Sequence, residues 1–240
     1  MILLDGKKTS QEIKEELKLK VTAMKERGER TPHLAAVLVG SDGASLTYVG
    51  SKVRSCEQIG FESTLIRLED DTTEEALLLQ IEQLNQDPTL DGYIVQLPLP
   101  KHINEERVLL AIDPKKDVDG FHPANFGRMA LDLDAFIPAT PFGIMQLLER
   151  YKVPTSGKHC VVVGRSHIVG RPISILMSQK GPAGDATVTV AHSRTQNLAE
   201  LTKQADIVVM ALGIPEYLTA DMVKEGATII DVGITRVADD

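Results

Sequence analysis

No other stretch restricts the fold of this chain as much as residues 161–172, Val-Val-Val-Gly-Arg-Ser-His-Ile-Val-Gly-Arg-Pro. The apolar run 159–164 has the composition of a buried parallel strand and passes through a glycine into a helical pattern beginning near Ile168. Such a junction aims the free N–H groups of a helix N-terminus at one point, and the missing side chain lets an anion approach the backbone. The spacing departs from the dinucleotide fingerprint GxGxxG, because Ser166 stands at the second glycine and Gly170 comes one residue late. Taken alone, the segment reads either as a phosphate cradle or as an ordinary tight turn between strand and helix.

The surrounding pattern predicts a sheet of the matching kind. ATVTVAH (186–192), ADIVVMALG (205–213) and ATIIDVG (227–233) are strand-like, with helical segments at 197–203 and near 219–225. This alternation lays down a doubly wound sheet, a Rossmann-like domain over 138–240 whose first helix is expected to start at Thr140-Pro141. Residues 1–137 alternate too. A helix opened by the capping box Thr9/Glu12 runs to about Gly28, followed by a strand at 33–40 and a helix at 43–60 closed by Gly60. A strand at 61–68, a helix at 73–86 and a strand at 91–97 follow. Residues 113–141, rich in Pro, Gly and Asp, are expected to form a long functional loop into the second domain. The fold class is therefore α/β: an N-terminal domain with a parallel-type sheet, a C-terminal Rossmann-like domain, and a cleft between them.

The strand after the glycine loop ends in His192-Ser193-Arg194, where an NAD-preferring site usually offers a carboxylate to the ribose hydroxyls. A hydroxyl and a guanidinium stand there instead, and Arg165 lies in the loop itself. Guanidinium groups suit a dianionic 2′-phosphate, so the pattern favours NADP over NAD. Gly213 and Gly233 fall at strand C-termini, where ligands of such sheets bind.

Three features of the first domain carry chemistry. Tyr48 and Lys52 are four apart on a predicted helix and share one face; alone, such a pair is usually a solvated surface contact. Val-Gln-Leu-Pro-Leu-Pro (95–100) is a buried-type strand ending in the amide of Gln96 and in Pro98 and Pro100. Lys-Asp-Val-Asp-Gly-Phe (116–121) sets Asp117 and Asp119 in the long loop, where an Asp-rich turn is the plainer alternative.

TYVGSK, VQLPLP, KDVDGF, PATPFG, VVVGRSHIVGRP, HSRT and DVGI occur in this order across essentially the whole chain. Together they resemble the bifunctional methylenetetrahydrofolate dehydrogenase/methenyltetrahydrofolate cyclohydrolases, the FolD family. The resemblance implies NADP-dependent oxidation of 5,10-methylenetetrahydrofolate to the methenyl form, then hydrolysis to 10-formyltetrahydrofolate, in one-carbon metabolism. It implies that Tyr48 stacks on or hydrogen-bonds the folate, that Lys52 is the principal acid/base group, and that Gln96 orients that lysine. Pro98 would shape the adjoining wall, and Asp119 would hold the pterin's amino and ring N–H groups. Gly164, Arg165, Ser166, Ser193, Arg194 and Ile234 would contact NADP. The substrate would be a reduced folate, with or without a polyglutamate tail, and the assembly a homodimer. A fixed ammonium beside a developing cation is unfavourable, so Lys52 is expected to be buried and to work at least partly as the neutral amine. Members of the family continue past DVGI with a strand, a Gly- and Pro-rich loop and a helix. The second domain, ending here at Asp240, is accordingly expected to be short at its C-terminus.

Other classes are disfavoured. A net charge of −8 argues against a general nucleic-acid binder. The longest apolar runs are strand-length, and no signal peptide is recognisable, so a cytoplasmic protein without a membrane partner is expected. Cys56 and Cys160 form no CxxC pair and read as small buried hydrophobes. Histidines 33, 102, 122, 159, 167 and 192 lack metal-ligand spacing, so no metal site is expected. Two readings remain beside the family's: an NADP oxidoreductase acting on another pterin or a shikimate-like acid, and a catalytically silent NADP-binding module.

Overall fold

A computed structural model of the chain describes residues 1–234; Thr235, the last residue of the DVGIT stretch, and 236–240 lie outside the described residues. The chain divides into two compact units, the first covering Leu3–Gly127 and the second running from Arg128 onward.

The first unit contains α1 (Gly6–Glu26), β1 (His33–Val39), α2 (Gly43–Ile59), β2 (Glu62–Leu68), α3 (Glu74–Gln86), β3 (Gly92–Val95) and α4 (Glu105–Ala111). Its sheet has the order β2-β1-β3 with every pairing parallel. Alternate residues of the central strand serve opposite faces. Val37 and Val39 pack with Leu77 and Ile81 of α3 and Val108 of α4. Ala36 and Leu38 pack with Val49 of α2 and with Ile94. Burial on both faces is why β1 reads as one apolar run. Helix α2 is bounded by Asp42, whose carboxylate accepts the Ser45 N–H at 2.8 Å, and by Gly60 at φ 86°. That left-handed cap is cheap only for glycine.

The helix α5 (Pro123–Ala130) spans the division between the units. The second unit continues with α6 (Ala139–Arg150), β4 (His159–Val163), α7 (Gly170–Ser178), β5 (Thr187–Ala191), α8 (Leu198–Gln204), β6 (Ile207–Met210) and β7 (Thr228–Asp231). Its parallel sheet runs β5-β4-β6-β7. The chain goes outward from β4 to β5 and then returns to β6, so the topological switch lies between β4 and β6. Open parallel sheets bind ligands at the strand C-termini beside such a switch.

Several expectations are corrected. Helix α1 starts earlier than Thr9: Asp5 is its N-cap and accepts the Lys8 N–H at 3.0 Å, while the Thr9 hydroxyl turns back onto Asp5 O. The span 113–141 contains α5, whose start is hidden in the sequence because Pro123 reads as a loop residue. Proline is well placed in a first helical turn, and the His122 ring accepts the Ala124 N–H at 3.0 Å. Helix α6 begins at Ala139 rather than Thr140-Pro141, with no side-chain cap. Pro141 sits in the first turn, where a missing N–H costs nothing. The helix expected near 219–225 is only a 3-10 turn, Ala220–Met222, which lacks buried residues to reward a longer one. Strand β3 stops at Val95, ahead of Pro98, which has no N–H to extend a ladder.

Candidate functional site

In the first unit the switch falls between β1 and β3, and Gln96 is the first residue past β3, with its N–H on Val37 O at 2.9 Å. The Gln96 amide is oriented from both ends. Its Nε2 donates to Leu97 O at 2.7 Å, which leaves Oε1 to accept from Lys52 Nζ at 3.5 Å. Lys52 also lies 3.7 Å from Asp119 Oδ1, so three side chains from a helix, a strand end and a loop converge. Tyr48 stands one turn earlier on α2, 46% exposed. It makes no hydrogen bond to the other three among the described residues. Pro98 is exposed beyond Gln96 and follows a cis peptide bond. The burial expected for Lys52 is not observed: its side chain is 43% exposed, because α2 carries it on an outward-facing position beside the strand ends.

Asp119 is held on a rigid turn. Tyr93 of β3 bridges Asp117 in parallel, and Gly120 N–H closes onto Asp117 O at 3.1 Å. Lys116 anchors the loop to the end of α3 by donating to Leu84 O at 2.7 Å and Asp87 O at 2.6 Å. At Gly92 a side chain would collide with Val118, so glycine is required for β3 and the loop to lie this close. Burial pushes the Asp119 carboxyl above the usual carboxylate range, against the opposing pull of Lys52, with the charge of Asp117 adding to the rise. A cavity of about 380 Å³ lies against this site, walled mainly by Ala36, Cys56, Ile94 and Val118, with Lys52 and Asp119 in its lining. Two groups around the turn carry no functional signal in the sequence, the His122 N–H and the Asn125 side chain, which both donate to Asp117. Asn125 lies on α5, the helix that sequence pattern does not reveal.

In the second unit, Val163 is level with Ala191 and Met210, and Met210 with Asp231. The segments that follow each strand therefore line one edge of the sheet. Gly164, Arg165 and Ser166 leave β4, Ser193 and Arg194 leave β5, Ala211–Gly213 leave β6, and Gly233-Ile234 leave β7. Gly164 sits at φ 129°, and a Cβ there would lie 2.5 Å from Ala211 O. Gly170 packs against Gly164 O, which seats α7 on the strand. Ser166, in place of the usual glycine, has its own task. Its Oγ accepts the Val169 N–H at 3.2 Å and the Gly170 N–H at 3.3 Å, satisfying free donors of the helix start. The turn after β5 is fixed by His192, whose Nδ1 accepts the Arg194 N–H at 3.1 Å. The guanidinium groups of Arg165 and Arg194 have no ion pair among the described residues, and Ile234 is 77% exposed.

Two family models cover most of the sequence. The tetrahydrofolate dehydrogenase/cyclohydrolase catalytic domain matches residues 4–119, and the NAD(P)-binding domain of the same family matches 138–240. The chain belongs to the tetrahydrofolate dehydrogenase/cyclohydrolase family. A bifunctional protein FolD of Flavobacterium johnsoniae is 70% identical over 239 residues, covering 100% of this chain and 81% of the relative. The FolD crystal structure from Campylobacter jejuni is 46% identical with a TM-score of 0.94, covering 99% of this chain and 83% of that one. A FolD structure from Trypanosoma brucei, complexed with NADP cofactor and inhibitor, is 35% identical with a TM-score of 0.93 and covers 99% and 80%. The chain thus has the dehydrogenase and cyclohydrolase activities of FolD enzymes in folate one-carbon metabolism, and its second unit is the family's NAD(P)-binding domain. This removes the silent module and the unrelated oxidoreductase. Among the described residues no helix is long and apolar enough to cross a membrane. Both cysteines are buried, and burial raises the Cys160 thiol to about 12.

Proposed function

We propose that residues 1–137 hold the reduced folate and residues 138–240 hold NADP, with Lys52, Gln96 and Asp119 as the reacting centre of the folate side. One observation carries this reading: Lys52 Nζ lies 3.5 Å from Gln96 Oε1 and 3.7 Å from Asp119 Oδ1 at the C-terminal edge of a parallel sheet. Asp119 accepts the pterin's amino and ring N–H groups, which a carboxylate does in its ionised form. Tyr48 offers an exposed ring, one helical turn away, for the folate to stack on. Pro98 shapes the wall beside it.

NADP⁺ held by the second unit would supply the acceptor for the hydride that leaves the methylene carbon between N5 and N10. The chain's task in that step is alignment. In the hydrolytic step, water adds to the methenyl carbon, and Lys52 Nζ takes the proton that the water loses as the C–O bond forms. Cleavage of the bond from that carbon to N5 then gives the 10-formyl product as N5 gains a proton, with one proton released overall. Gln96 keeps Lys52 directed at this carbon through its Leu97-anchored amide.

The cofactor assignment is supported by the backbone. Gly164 leaves no room for a Cβ against Ala211 O, so glycine lets the loop turn off β4 close beside β6 and lead into the helix start, whose N–H groups suit a phosphate. Arg165, Ser193 and Arg194 follow adjacent strand ends and supply hydroxyl and guanidinium donors suited to a 2′-phosphate, which favours NADP over NAD. Ser166 caps the helix from the place a glycine usually holds, and Ile234 covers the nicotinamide side. We also infer a cytoplasmic homodimer; β5 is an edge strand with Val190 41% exposed, which supports pairing of two copies.

Lys52→Met tests the reading. Cyclohydrolase turnover of methenyltetrahydrofolate, followed by absorbance, is expected to fall by about 100-fold or more, with calorimetric NADP⁺ affinity retained. Unchanged cyclohydrolase turnover would remove Lys52 from the mechanism.

A further inference from the structure

We propose that Asp117, held by Asn125, is the positioning residue of the folate site: a buried anion that fixes the turn carrying Asp119 and presses its charge on that carboxylate. The inference rests on the reading of Asp119 as the pterin anchor. Asp117 is 2% exposed, and its Oδ2 accepts the His122 N–H at 2.8 Å and Asn125 Nδ2 at 2.9 Å. Asn125 is itself 4% exposed and also donates to Pro114 O at 2.8 Å, which ties α5 to both ends of the loop. Every donor to Asp117 is neutral, and no cation pairs with it among the described residues. A buried carboxylate without a cation is costly, whereas an asparagine in the same place would accept the same hydrogen bonds at less cost. The charge, rather than the hydrogen bonding, is what the fold alone does not require.

That charge acts on a group two residues on. Among the described residues, the charged and titratable groups around the turn include Lys52 from α2, Glu82 from α3 (acting on Tyr93), Tyr93 from β3, and Asp113 and His122 from the loop itself. Lys116 is turned away onto the carbonyls of Leu84 and Asp87. Asp119 therefore feels Lys52 on one side and Asp117 on the other, with Asp117 working in the same direction as burial. An anchor so placed gives up its charge more readily than a free aspartate and regains it against the pterin N–H groups. The hydrogen bonds of the bound ring are thus favoured over those of water.

The test is the pH profile of calorimetric tetrahydrofolate affinity, a readout that the base chemistry of Lys52 does not enter, together with KM for methenyltetrahydrofolate, in four forms of the enzyme: wild type, Asp117→Asn, Asn125→Ala and Asp119→Asn. Asp117→Asn is expected to move the acid limb down, because the charge that raises the Asp119 carboxyl alongside burial is gone. Asn125→Ala keeps the charge but loosens the turn, and should raise KM several-fold with the acid limb in place. An unmoved limb in Asp117→Asn, or an unchanged KM in Asn125→Ala, overturns the proposal. Should Asp117→Asn fold poorly, Asp117→Ser, which keeps an acceptor for the His122 N–H, must give the same shift. Asp119→Asn separates the two readings. An acid limb that survives it refutes Asp119 as the anchor. A limb lost there but unmoved in Asp117→Asn refutes the role of Asp117 alone.

Discussion

Replacing Gly164 by alanine puts the glycine loop under the most direct strain. The residue has φ 129°, a region that L side chains rarely adopt, and its new Cβ would stand 2.5 Å from Ala211 O. Occupying such a backbone region costs about 1–3 kcal/mol. Forcing a methyl group against a backbone carbonyl in a packed sheet costs about 1–3 kcal/mol more. The carbonyl belongs to the segment leaving β6 and cannot rotate away as a side chain would, so little of the second cost is relieved. A central value of about 4 kcal/mol lowers the unfolding midpoint by roughly 8–16 °C for a chain of this size. To reach the 3.0 Å below which Cβ contacts are essentially not found, loop and carbonyl must part by at least 0.5 Å. That displacement separates the loop from the helix N-terminus on which a phosphate would rest. NADP⁺ affinity should therefore fall by about tenfold or more, while cyclohydrolase turnover, which uses no nucleotide, stays near wild type well below the new midpoint. Thermal unfolding, NADP⁺ calorimetry and the methenyltetrahydrofolate assay read the three quantities separately. A variant that unfolds within about 2 °C of wild type and binds NADP⁺ equally well would refute the argument from both strain and cradle.

Two further outcomes follow from side-chain electrostatics. Arg165→Ser should weaken NADP⁺ binding by about 10–100-fold, the worth of one or two charge-assisted hydrogen bonds, and leave NAD⁺ binding little changed; equal losses for both nucleotides would place the guanidinium elsewhere than on the 2′-phosphate. Asp119→Asn should raise the unfolding midpoint at neutral pH while raising KM for folate. The sign follows from linkage: the Asp119 carboxyl is raised by burial, so the native state binds its proton more tightly than the unfolded chain does. Stability is then lost as pH rises from the ordinary aspartate range through the raised one, and the gain from Asn disappears below about pH 4. Thermal scans at about pH 7 and about pH 3.5 check this, and a destabilised Asp119→Asn at neutral pH would contradict it.

Local chemistry is legible in the sequence wherever a few neighbouring residues decide the outcome. The continuous apolar runs around Val37 and Val161 specify strands buried on both faces, and the helical patterns alternating with them point to a parallel sheet covered by helices. Gly60 ends α2 because a left-handed cap suits glycine, and Gly164 marks the point where a strand must turn sharply into a helix. The chemical types of Tyr48, Lys52, Gln96 and Asp119 are equally visible, as are the hydroxyl and guanidinium groups that stand where an NAD site carries an acid. What sequence leaves open depends on distance through space. Thr9/Glu12 has the letters of a capping box, but Asp5 caps α1 because the chain is already helical one turn earlier. Helix α5 is hidden because its first turn uses proline and a histidine ring rather than the usual hydroxyl. Lys52 and Gln96 are separated by 44 residues, and only the strand order β2-β1-β3 brings the end of β3 beside the helix that follows β1. A period of two tells which face a strand buries, not which strand lies next to it. The same holds for Asp117, which reads as one more turn-forming aspartate. Only the packing of α5 and β3 around it turns that residue into a buried charge beside Asp119, because burial is a property of everything that surrounds a group.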